Sequence, residues 1–179
     1  MTDEFPVDFE DRVPDGDDRT RSVCTRCGFV DYVNPKIVAG SVVVAGDGRI
    51  LLCKRAIEPR KGFWTLPAGF METRESVEDA ARREAREEAC ADIAIDGVLA
   101  IYDVPRISQV QIMFRASLLS DIAPGPESQA VGLYDWKDIP WSALAFPTVV
   151  WALTHYAESR DRPLGVPFQN PPGTDALTR

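Results

Sequence analysis

The sequence predicts an α/β domain, and three stretches carry that prediction. Ile37–Ala45 (IVAGSVVVA) is a continuous β-branched, apolar run of strand length, and Asp47-Gly48 after it is a strong hairpin signal. Gly69 to Ala91 (GFMETRESVEDAARREAREEACA) holds a helix with its own N-terminal cap. A second helix is expected from about Ala145 to Ser159. A chain of 179 residues suggests one domain with a small appendage, and 45% hydrophobic content is enough to bury a real core.

Residues 1–35 form an N-terminal extension, of which the acidic first 22, with Pro14 and Gly16, are expected to be irregular or extended. Cys24-Thr25-Arg26-Cys27-Gly28 is a CxxCG knuckle of the kind used in zinc ribbons. A structural zinc needs four ligands, and a second CxxC is missing. The one histidine, His155, lies far along the chain in the second expected helix and is assigned a structural role. Zinc is therefore not expected as a full four-ligand site. A metal-free turn, a zinc shared across a dimer, and a role for Cys53, Cys90 or redox chemistry remain the alternatives.

The main domain is expected over 36–160. Arg49–Arg55 (RILLCKR) returns from the hairpin as partner of the first strand. A basic loop with Arg55, Arg60 and Lys61 follows, then a short strand with Trp64 and a tight turn at Gly69. Ser76 is a good N-cap, and Asp79 three residues on completes an approximate capping box, so the first helix should run from about Val77 to Ala89. Ala91–Val104 and Val110–Leu119 read as strands, Ala123-Pro124-Gly125-Pro126 as a loop, and Val131–Trp136 as a short strand. Pro147 falls in the first turn of the second helix. Residues 161–179, rich in Pro and Gly, are expected to be a tail.

Composition narrows the function. A formal charge of -8 and a sequence pI of about 4.7 argue against a non-specific nucleic-acid surface. An acidic protein that handles phosphates must concentrate positive charge locally or borrow it from metal ions. No stretch is long and apolar enough to span a membrane, and the acidic N-terminus lacks the apolar segment of a secretory signal. Four cysteines at 24, 27, 53 and 90 do not make a disulfide framework, so a reducing cytoplasm is expected.

The first helix carries the chemistry. Glu84, Glu87 and Glu88 are spaced i, i+3, i+4 and are neighbours on one helix face. At 3.6 residues per turn that face also carries Val77, Ala80 and Ala81, while Arg82 and Arg86 point towards solvent. Three carboxylates on the buried side repel one another and lose hydration, and a cation among them relieves both penalties. The alternative is a solvated charged face.

Gly69, Glu75, Arg83, Glu84, Ala85, Glu87 and Glu88 resemble the Nudix box, G-x5-E-x7-R-E-U-x-E-E-x-G-U with U bulky and aliphatic. Every charged position matches at the right spacing. Cys90 stands in place of the late glycine, and the U positions hold Ala85 and Ala91. Glycine normally supplies a left-handed cap at that turn. Pro14-Asp15-Gly16-Asp17-Asp18-Arg19, the CxxCG knuckle, Tyr32-Val33-Asn34-Pro35-Lys36, the segment from Tyr102 to Phe114, and Leu144-Ala145-Phe146 are similar to a Nudix subgroup with an N-terminal zinc ribbon. That subgroup contains pyrophosphatases acting on FAD and ADP-ribose, and the resemblance covers roughly residues 14–150. The subgroup's upstream CxxC is absent, as is the SQPWPFP-type segment of NADH pyrophosphatases.

The fold this resemblance implies is a mixed β-sheet sandwiched between α-helices, with a small ribbon-like N-terminal extension. It implies Mg2+ or Mn2+ held by Glu84, Glu87 and Glu88 with the Gly69 carbonyl assisting, Arg83 orienting a neighbouring glutamate, and Glu75 supporting loop and helix. For Arg83 and Glu75 the alternative is a surface ion pair. Glu127 is the loop candidate for general base, beside the helix glutamates and against a solvated loop residue. Arg55, Arg60 and Lys61 suit phosphate binding, or are ordinary loop charge. Tyr102, Arg106, Gln109 and Gln111 are candidates for the recognition pocket; Gln109 and Gln111 share a strand face, which is equally consistent with an exposed face. Trp64 and Phe70 are candidates for base stacking, with core packing favoured for Trp64. The activity implied is metal-dependent hydrolysis of a nucleoside diphosphate linked to another group, with ADP-ribose and FAD as leading substrates and a homodimer as the assembly. The rival is a Nudix-like sensor that binds nucleotide without turning it over. A zinc-organised interaction module is a third reading, resting on the single CxxC.

Overall fold

The computed structural model describes residues 8–174. The chain divides into two compact units between Pro35 and Lys36. In the first, β1 (Phe9–Arg12), β2 (Arg21–Cys24) and β3 (Val30–Asp31) form an antiparallel sheet in the order β1-β2-β3. Of the first 22 residues, expected to be irregular or extended, 9–12 and 21–22 are extended as strands; residues 1–7 lie outside the described residues. The turn between β1 and β2 closes with Asp17 N–H on the Pro14 carbonyl (3.0 Å) and an Arg21–Asp17 ion pair (3.0 Å). The CxxCG knuckle joins β2 to β3, with Gly28 N–H on the Cys24 carbonyl (3.0 Å). Cys24 is buried and Cys27 exposed.

The second unit is built on a seven-stranded mixed sheet. Its strands are β4 (Lys36–Val44), β5 (Ile50–Arg55), β6 (Trp64–Thr65), β7 (Ala68–Phe70), β8 (Ile93–Val104), β9 (Gln109–Leu118) and β10 (Ser128–Tyr134). The main path runs β10-β5-β4-β9-β8, with β6 paired to β5 and β7 to β4. Only β4 and β9 run parallel. The α1 helix (Val77–Ala89) and the α2 helix (Pro147–Ser159) cover opposite faces of this sheet.

Side chains alternate between the two faces of a strand. On β5, Leu51 and Cys53 pack with Ala85 and Ala89 of α1, while Ile50 and Leu52 pack with Trp151, Ala152 and Leu153 of α2. The α1 helix approaches closely because its buried face is alanine: Ala80, Ala81, Ala85 and Ala89 are all fully buried. The small residues at the U positions therefore suit a helix lying low on the sheet. Pro147 opens α2 in its first turn.

The segment read as a tail is docked over its described part. Phe168 N–H bonds to the Leu99 carbonyl (2.9 Å) and Ile101 N–H to the Phe168 carbonyl (2.8 Å), so Phe168 extends the edge strand β8. Its ring stacks on His155 at 4.4 Å. Asn170 bonds both the N–H and the carbonyl of Asp103, at 3.0 and 2.8 Å.

Candidate active site

The site forms where the carboxylate face of α1 meets β7. Ser76 caps the helix, accepting from Asp79 N–H at 3.1 Å and donating to the Asp79 carboxylate at 2.6 Å. Glu84 and Glu88 are then buried against the sheet, one turn apart, while Glu87 stays at the rim. Two of the three glutamates thus face inward and the third does not. Register explains the closeness. Gly69 pairs with Ala39, whose side chain lies under Ala80 and Ala81. A Cβ at Gly69 would overlap the Glu84 carboxyl group. Next to it, Ala68 N–H donates to Glu88 Oε2 at 3.3 Å.

Arg83 organises the cluster. One end of its guanidinium bonds Glu84 (2.7 Å) and Glu87 (3.0 Å); the other bonds both Glu75 oxygens (3.1 and 2.8 Å) and the Phe70 carbonyl (2.9 Å). Glu75 in turn accepts from Glu72 N–H, tying the loop before the helix. This is a connected network spanning loop, helix and β7, not an isolated surface pair. The hydrogen bonds from Arg83 hold the Glu75 carboxyl below its ordinary range.

The buried pair shows the opposite effect. Burial raises Glu84, against the pull of Arg83, and the charges of Glu87 and Glu127 add to the rise. Burial, then the charge of Glu84, pushes Glu88 up to about 8, opposed by Ala68 N–H and Arg55. The charge of Glu127 also acts on Glu88. Among the described residues no three His, Cys, Asp or Glu side chains already converge as a metal-binding set. The donors are nevertheless suited to a hard cation: carboxylate and carbonyl oxygens at a place where burial penalises uncompensated negative charge.

Arg55 ends β5 and Glu127 immediately precedes β10; the charges of both act on Glu88. The Glu127 carbonyl accepts from Ala56 N–H at 2.8 Å, just beyond the Ser128–Arg55 pairing. Arg55 Nε donates to the Pro59 carbonyl (2.8 Å), and its guanidinium lies 5.3 Å from the Phe146 ring centroid. Arg60 stacks instead on Phe63, 5.1 Å from the centroid, with no bond to the carboxylates. Burial beside Glu88 raises the Cys53 thiol, which leaves it an inert core group.

Tyr102 is corrected as a pocket residue. It is fully buried, bonds His155 Nδ1 at 2.8 Å and packs edge-on against Trp151, because its register turns it inward under α2. Gln109 and Gln111 are half-buried and bond each other at 3.2 Å. Gln111 lies in the row Tyr102–Gln111–Val38–Phe70, one residue out of step with the row that carries Gly69. Alternation therefore puts it on the sheet face away from Glu84. Phe70 on that row is exposed, with Lys36 Nζ at 5.0 Å from its ring centroid. Arg106 sits exposed in a short 3-10 turn, and Trp64 is half-buried against Tyr134. The Arg55–Phe146 contact and the packing of Gly125 on α1 were not legible in sequence, since both join segments distant along the chain.

Residues 34–151 match the family model described as NUDIX domain, and residues 8–33 match the one described as Nudix N-terminal. A crystal structure of a NUDIX hydrolase from Nitrosomonas europaea superposes with a TM-score of 0.85 at 40% identity, covering 94% of this chain and 97% of that one. An ADP-ribose pyrophosphatase of Methanocaldococcus jannaschii is 29% identical over 114 residues, which is 61% of this chain and 67% of that protein. A Bacillus subtilis protein described as the uncharacterized Nudix hydrolase YvcI is 46% identical over 102 residues, 54% of this chain and 63% of its own length.

Proposed function

The chain belongs to the Nudix hydrolase family, and from that membership we propose that it hydrolyses the pyrophosphate bond of a nucleoside diphosphate linked to another moiety. ADP-ribose, giving AMP and ribose 5-phosphate, and FAD, giving AMP and FMN, are the leading substrates. The observation that carries this reading is the buried Glu84–Glu88 pair, held one turn apart against Gly69 and fixed by Arg83.

Glu84, Glu87 and Glu88, with the Gly69 carbonyl, would hold Mg2+ or Mn2+, which when bound neutralises charge on the phosphoryl oxygens and activates water. Arg83 keeps Glu84 and Glu87 in place through one nitrogen while Glu75 and the Phe70 carbonyl hold the other. Glu127, whose charge reaches both buried carboxylates, accepts the proton of the attacking water. Arg55 offers its guanidinium to the diphosphate. Lys36, Phe70, Gln109 and Gln111, together on the other face of the sheet, are not assigned a role in the chemical step. A homodimer and a cytoplasmic location belong to the same proposal.

The test is to incubate the protein with Mg2+ and a panel of ADP-ribose, FAD, NADH and diadenosine polyphosphates, following AMP release. AMP from ADP-ribose or FAD is the expected result. Tight binding of one compound with no AMP from any would favour the sensor reading, which Cys90 and the lack of a second acid after Glu127 motivate. Sedimentation of the same sample reads the oligomeric state.

A further inference from the structure

The Pro124-Gly125-Pro126 loop lies on the catalytic helix itself. A helix leaves its last four carbonyls without internal partners. In α1, Cys90 N–H takes the Arg86 carbonyl (2.9 Å), Gly125 N–H takes that of Glu88 (3.1 Å) and Ala123 N–H that of Ala89 (3.0 Å). The remaining carbonyl, that of Glu87, faces the α-carbon of Gly125. A Cβ on Gly125 would overlap the Glu87 oxygen and lie 2.7 Å from its carbonyl carbon. Those are helix backbone atoms, so a side chain there displaces the loop. Two residues on, the Glu127 carbonyl is pinned by Ala56 N–H (2.8 Å), and Ser128 N–H returns to the Gly125 carbonyl (3.0 Å). Proline on either side of Gly125 restricts the backbone further.

We propose that Gly125 is a positioning residue: its missing side chain lets the loop seat on the last turn of α1 and thereby sets Glu127 against the carboxylates of Glu84 and Glu88. The inference rests on the reading of Glu127 as the general base. The same helix turn then carries the metal-binding glutamates on one side and anchors the base-bearing loop on the other. A shift of the loop changes the distance between base and carboxylates directly. Misplacement by about 1 Å is enough to cost roughly 100-fold in rate.

The experiment is a double-mutant cycle on the full chain with Mg2+ and ADP-ribose, or with whichever panel compound is turned over. Wild type, Gly125→Ala, Glu127→Gln and the double variant are compared in kcat, KM and pH profile. Gly125→Ala is expected to lower kcat by roughly 100-fold, with KM within about threefold. It is also expected to change the pH dependence of kcat as Glu127→Gln does. Added to Glu127→Gln it should cost almost nothing more, because both changes act through one group. An inactive wild type sinks the proposed hydrolysis, and a near-normal Glu127→Gln sinks the base assignment together with this inference. An impaired Glu127→Gln with an unaffected or fully additive Gly125→Ala overturns the positioning role alone. Should Gly125→Ala fail to fold, amide exchange of the wild type decides. Gly125 and Ala123 amides as protected as those of the last α1 turn support the seating, and exchange at the rate of an open loop refutes it.

Discussion

Glu88 concentrates the electrostatics of the site. Its carboxyl is buried, receives one weak backbone hydrogen bond from Ala68 and faces a second buried acid. Replacing either Glu87 or Glu88 by glutamine should reduce turnover by orders of magnitude without unfolding the chain; near-normal rates in both would refute the metal-site assignment. A pH effect follows from the same burial. The Glu88 pKa rises from an ordinary 4.5 to about 8 on folding in the absence of a cation. Between those values the folded state keeps a proton that the unfolded state has lost, so stability from this group is full below 4.5 and lost as pH rises towards 8. Metal-free protein should therefore melt at a lower temperature at pH 8 than at pH 6, and Glu88→Gln should remove most of that difference. Saturating Mg2+ at pH 8 should restore the melting temperature. Calorimetry with chelator and with Mg2+ checks all three, and a wild-type melt that rises with pH would contradict the assignment.

At the scale of the element, α1 is a helix whose two ends are closed by different chemistry. Its start has a side-chain cap in Ser76, while its end is closed by Cys90 in the left-handed region, at φ 49 and ψ 28. Ala91 N–H reaches back to the Ala85 carbonyl at 3.1 Å, completing the C-terminal motif that glycine usually supports. The missing glycine of the box thus does not break the turn. It holds a residue with a Cβ in a conformation that costs about 1–2 kcal/mol outside glycine. Cys90→Gly should accordingly stabilise the protein by about 1 kcal/mol, a rise of roughly 2–4 °C in Tm for a chain of this size. Activity should be unchanged, because Cys90 is exposed and contributes no ligand. A lower Tm would show that the thiol makes a contribution outweighing the backbone strain.

On the scale of the larger unit, the sheet exposes β8 as an edge, and the segment after α2 covers it. An uncovered edge strand is an aggregation hazard, and a short antiparallel or parallel addition removes it. Phe168 joins that edge, the His155 ring beneath it and, through Tyr102, the core under α2. Burial lowers the His155 pKa, consistent with an uncharged ring stacked on phenylalanine. Phe168→Ala should destabilise the unit by about 2 kcal/mol and speed amide exchange at Ile101 and Asp103. The kinetics on the preferred substrate should stay within about twofold, since among the described residues after α2 none bonds the carboxylates of Glu84, Glu87 or Glu88. Loss of activity equal to that of Glu88→Gln would give the segment after α2 a catalytic role instead.

By itself the sequence determined the family and the main elements of the larger unit: the α1 bounds, the Ser76 cap, the strand runs from residue 36 on and the charged positions of the box are local patterns, set by spacing along one segment. It also placed Arg83, Glu84 and Glu88 on the helix correctly, since neighbours three and four apart meet on any helix. What it did not determine depends on which distant segments touch. Tyr102 looked available beside Gln109 and Gln111, but strand register buries it under α2. Residues 161–179 read as a tail, yet Phe168 through its backbone and Asn170 through its side-chain amide bond β8, contacts that composition does not reveal. The seating of Gly125 on the carbonyls of α1 is of the same kind. Backbone hydrogen bonds and close approach have no residue code, so only the tertiary structure could decide where the Pro124-Gly125-Pro126 loop meets the helix.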